Sequence, residues 1–62
     1  MPRYDICYRD DHGSLKARVT TPAPSDLHAK VLAHAMKRPE HKCLEVWQGE
    51  TLVYGRGGGA FA

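Results

Sequence analysis

Apolar and polar residues alternate along the first part of this chain, repeat at helical spacing in the middle, and alternate again towards the end. From Arg3 to Arg9 (RYDICYR), Tyr4, Ile6 and Tyr8 fall on one side and Arg3, Asp5, Cys7 and Arg9 on the other. That period of two marks a half-buried strand. Asp10-Asp11-His12-Gly13 is a turn cluster ending in glycine, the residue that enters left-handed backbone without steric cost. Alternation resumes from Ser14 to Thr20, with Leu15, Ala17 and Val19 set against Ser14, Lys16, Arg18 and Thr20. The two runs predict a hairpin.

From Ser25 to Arg38 the period changes to that of a helix. Ser25 suits an N-cap and Asp26 the positive pole, while Lys37 and Arg38 suit the negative pole and Pro39 forbids continuation. Prolines 22 and 24 keep the helix from starting earlier. At about 100° per residue, Leu27, Val31, Leu32, Ala35 and Met36 share a face, and this is the face expected against a sheet. His28 intrudes on that arc and reads as a rim histidine. Lys30, His34, Lys37 and Arg38 lie opposite, with Ala29 and Ala33 as small fillers. Lys42 to Trp47 (KCLEVW) predicts a third strand with Leu44 and Val46 inward and Cys43, Glu45 and Trp47 outward. Gln48-Gly49-Glu50 is a tight turn. Thr51 to Tyr54 predicts a fourth strand with Leu52 and Tyr54 inward and Val53 on the far side.

These elements make an α+β fold: a two-layer ββαββ sandwich with one helix packed on a four-stranded antiparallel sheet. Strand orders 2-1-3-4 and 1-2-4-3 both keep every pair antiparallel. The first is preferred, because it centres the runs with Ile6 and Val46 and gives a standard crossover. Residues 1–54 form a single domain, and the glycine-rich stretch 55–62 is expected to be a flexible tail.

Composition narrows the function classes. At 62 residues the core is small, and a domain of this size gains from pairing with a second copy. Two cysteines and the absence of a secretory segment or a run of about 20 apolar residues suggest a reduced, cytoplasmic protein without a membrane span. A net charge of +2 is too weak to imply nucleic acid by itself. No nucleophile elbow, phosphate loop or carboxylate pair is present, so no enzymatic activity is expected. The histidines His34 and His41 with Cys43 match no zinc spacing, so neither a metal nor another cofactor is expected.

The outer sheet face is the informative surface, because one helix covers only the other side. A tryptophan there forgoes a large burial free energy unless something covers it. Arg3 or Arg18 stacking on Trp47, a protein or second copy anchored on it, or a base stacked on it would each account for its placement. The partner-binding surface is expected at Trp47 with Arg3, Arg9, Arg18 and Val53. The alternative is a nucleic-acid contact through Lys30, His34, Lys37, Arg38 and Lys42. Arg56-Gly57-Gly58 adds one weak RGG-like triplet. Cys7 and Cys43 are expected on neighbouring strands but not opposite each other, since direct pairing would set Asp5 against Glu45.

Overall fold

A computed structural model describes residues 1–57. The elements run β1 (Arg3–Arg9), β2 (Leu15–Pro22), α1 (Asp26–Met36), β3 (Cys43–Gln48) and β4 (Thr51–Gly57). All pairings are antiparallel and the strand order is β2-β1-β3-β4, so the chain is the ββαββ sandwich that its patterning predicts. β4 continues three residues past Tyr54, and Gly55, Arg56 and Gly57 are sheet rather than tail. The rest of the expected tail, residues 58–62, lies outside the described residues.

Local chemistry fixes each turn. In the first hairpin the Asp10 carboxylate accepts the backbone N–H groups of His12 and Ser14, both at 2.9 Å, and Gly13 takes a φ of 82°. In the second, Gln48 pairs with Thr51 across Gly49-Glu50, and Gly49 takes a φ of 63°. The Ser25 hydroxyl caps α1 by accepting the His28 N–H at 3.2 Å.

The core is built on the two central strands. Ile6, Leu44 and Val46 are fully buried, each contributing about 1.5–3 kcal/mol. Tyr4 and Tyr8 stand beside them and reach the helix with their hydroxyls. Tyr4 donates to the Asp26 carboxylate at 2.6 Å, and Tyr8 donates to the backbone carbonyl of Ala33. The second bond satisfies one of the carbonyls left over at a helix C-terminus. His41 stacks on the Tyr8 ring with centroids 4.5 Å apart and accepts the Arg38 N–H on Nδ1 at 3.2 Å. It is a buried structural residue.

The helix meets the sheet on a different face from the expected one. Ala29 and Ala33 are buried, whereas Leu27 is 68% and Val31 58% exposed. Long tyrosines rising from β1 occupy the space between the layers, so only small residues fit opposite them.

Two β-bulges also break the expected alternation. Tyr8 pairs with Ala17 but Arg9 with Leu15, which leaves Lys16 as an extra residue. Val46 pairs with Tyr54 but Trp47 with Leu52, which leaves Val53 extra. A bulge shifts the parity of everything beyond it. Leu15 and Leu52, both expected in the core, are 51% and 42% exposed, and Val53, expected outside, packs against the core.

Candidate functional site: the outer face of the sheet

Trp47 lies on the uncovered face, opposite Asp5 on β1 and Leu52 on β4. It lines an open depression of about 430 Å³ together with Asp5, Cys7, Arg9, Arg18 and Glu45. Leu15 closes one side of the depression and the Gly49-Glu50 turn another. The indole is half-buried and tethered, since its Nε1 donates to Glu45 Oε1 at 3.3 Å. The same carboxylate oxygen accepts from Arg9 Nε at 3.3 Å. Arg9 also donates to the Gly13 carbonyl at 3.0 Å, so the guanidinium is held between strand and turn.

Across the depression Arg18 donates to Asp5 at 3.2 Å, and the Thr20 hydroxyl donates to the same carboxylate at 2.6 Å. The Thr20 bond, with help from Arg18, holds the Asp5 carboxyl below its ordinary value. Burial pushes the Cys7 thiol up, and the nearby Glu45 carboxylate adds to this. The thiol on this face is therefore protonated at neutral pH and a poor nucleophile. Cys7 pairs with Glu45, and Cys43 with Arg9. Both cysteines are free and not opposite each other. Each guanidinium lining the depression thus has a carboxylate of its own, and the surface left for a ligand is the indole with apolar flanks and the Glu50 carboxylate at the turn.

Of the five residues expected here, Trp47, Arg9 and Arg18 gather at the depression. Arg3 does not; it lies at the far end of β1, opposite Pro22. Val53 is turned into the core, so its expected place on this face is corrected. No arginine stacks on the indole: among the described residues the cation–π pair is Lys30 with the Tyr54 ring, 4.8 Å from its centroid. Leu15 and Leu52 are the residues that strand alternation missed. The second was readable from the turn: a two-residue loop between Gln48 and Thr51 places Leu52 opposite Trp47, on the same face.

The basic residues of the helix do not form one stripe. Lys30 lies on Tyr54, whose hydroxyl is 3.0 Å from His34 Nε2. His34, Lys37 and Lys42 line a separate depression of about 420 Å³ with Leu44 and Arg56. Arg38 lines a groove between the helix end and β2, which Lys37 borders as well. No cluster of three metal-ligating side chains occurs among the described residues, and no helix among them is long and apolar enough to cross a membrane. The chain matches no family model, and neither a curated protein nor a solved structure shows significant similarity to it.

Proposed function

We propose that this protein is a non-catalytic interaction module that holds a protein partner on the outer face of its sheet. Trp47 is the anchor, Leu15 and Leu52 are its apolar flanks, and the Arg9–Glu45 and Arg18–Asp5 pairs form the polar surround. The observation that carries this reading is the combination of a tethered, half-covered indole with arginines already neutralised by neighbouring carboxylates. A polyanion site would present unpaired cations. A protein interface presents an aromatic anchor ringed by satisfied polar groups. A tethered indole also loses little conformational freedom on binding.

A second reading rests on the depression lined by His34, Lys37, Lys42 and Arg56, which has no carboxylate among its lining residues. That chemistry suits a phosphate backbone.

One titration separates the two. Peptides selected from a random library against the immobilised protein, and a single-stranded oligonucleotide at low salt, are each added to isotopically labelled protein. Selected peptides are expected to shift Trp47, Leu15 and Leu52, and Trp47→Ala to weaken them by about 30-fold or more, the ~2 kcal/mol of a hot-spot residue. Peptides that bind elsewhere and ignore Trp47→Ala would overturn the first reading. Salt-sensitive oligonucleotide shifts at Lys37, Lys42 and Arg56 would establish the second.

A further inference from the structure

The helical layer is incomplete. Four strands at about 4.8 Å spacing make a face roughly 19 Å wide, and a helix with its side chains covers about 10 Å of it. α1 lies against β3 and β4, with Lys30 and His34 directed to Tyr54 on β4. The inner residues of β2, at the opposite edge, are correspondingly half-open. Ala17, Val19 and Thr21 pair with the fully buried Tyr8, Ile6 and Tyr4, yet none of the three is itself buried. A groove of about 540 Å³ remains there, lined by Tyr8, Ala17 and Val19 of the sheet and Ala35 and Met36 of the helix, with Lys37, Arg38 and His41 also on its wall.

The helix has surplus apolar surface to match. Ala29 and Ala33 face its own sheet, and Leu32 packs against the core from the side. Leu27 and Val31, one helical turn apart, are both well exposed on the side of the helix away from Ala29 and Ala33. Among the sides of this helix, only the one towards β4 is consistently polar. A helix resting on one sheet needs a single apolar stripe; one apolar on several sides is suited to burial between layers.

We propose that two copies of this chain close over each other through their helical layers, each α1 filling the open strip beside the other's β2. A two-fold axis along the helices brings the two α1 segments side by side between facing sheets. Leu27 of each copy then lies level with Thr21 of its mate and Val31 level with Val19, and the open strip is covered. The fit is self-complementary, because every chain carries one surplus helix face and one uncovered strip of sheet, and one rotation satisfies both. A standard interface needs about 800 Å² per partner, a fifth of this chain's 4100 Å², and the open half of its inner face is the natural source. The arrangement leaves both Trp47 faces outward on opposite sides. It does not depend on what those faces bind.

The test is the mass in solution from sedimentation equilibrium, across micromolar to submillimolar protein. The wild type is expected at twice the chain mass of 6.9 kDa. Val31→Lys is expected to raise the dissociation constant at least about 100-fold, since it would bury an unpaired charge, while keeping its circular dichroism. Leu27→Glu serves as a second variant, because a carboxylate in the first turn favours the helix, so dissociation there cannot reflect a lost fold. Trp47→Ala is expected to leave the dimer intact. A wild type of single-chain mass at the highest concentration would overturn the proposal. So would a dimer insensitive to both helix variants, or one dissociated by Trp47→Ala.

Discussion

Asp10 and Asp5 each hold a piece of backbone or sheet in place through the charged form of a carboxyl group. Asp10 accepts two turn amides, and the Ser14 N–H above all lowers its pKa, with His12 and Lys16 assisting. Asp5 is lowered by Thr20 and then Arg18. A carboxyl with a depressed folded-state pKa contributes stability that is complete above the unfolded value of about 3.9 and is lost as pH falls through the folded value. The thermal midpoint is therefore expected to drop below about pH 4 as these two carboxylates are protonated. Asp10→Asn should lower the midpoint at neutral pH and make the acid limb shallower. A limb of unchanged steepness in Asp10→Asn would show that the turn carboxylate is not the group being titrated. At the alkaline end the signs reverse. Hydrogen bonding to Asp26 raises the Tyr4 pKa and burial raises that of Tyr8, so both contribute stability that is lost as pH rises past about 10.

At the scale of elements, strand and helix existence was legible in the alternation; antiparallel pairing left two strand orders, and centring the runs with Ile6 and Val46 under a standard crossover selected the one observed. Trp47 was readable as outward because Leu44 and Val46 on either side of Glu45 must be inward. The helix contact face was not readable. Hydrophobicity singled out Leu27 and Val31, but what decides the face is the length of Tyr4 and Tyr8 across the gap, which leaves room only for Ala29 and Ala33. Ala33→Leu should therefore destabilise the fold by about 1–3 kcal/mol through overpacking, measured by urea unfolding, although leucine is the more hydrophobic residue. An unchanged or raised midpoint would contradict the tyrosine–alanine fit. The bulges at Lys16 and Val53 were the other obstacle. Alternation carries no marker of an inserted residue, so parity beyond a bulge is misread by one step. Hence Leu15 falls on the outer face, and Val53 and Tyr54 both pack against the core although the turn sets Leu52 outward.

At the scale of the whole molecule, the two surfaces of the sandwich have different chemistry. The outer face is a tethered indole among self-paired charges, and the inner layer is an apolar helix beside an uncovered strip of sheet. A small chain whose large fully buried aliphatics, among the described residues, are Ile6, Leu44 and Val46 has reason to use the inner layer for its own stability. On the proposed reading, that leaves the outer one for recognition. Two outward recognition faces on one dimer would also make binding to a repetitive partner bivalent, with a gain in avidity that requires no new contact.

The most direct test of this division is solvent accessibility by NMR. A soluble paramagnetic probe is added to concentrated protein without any ligand, and relaxation is read at the Trp47 indole N–H and at the Leu27, Val31 and Val19 methyls. The account predicts strong relaxation enhancement at the indole edge and at Leu52, and protection of the three methyl-bearing residues that lifts on dilution. A shielded indole with freely accessible Leu27 and Val31 methyls at every concentration would contradict it.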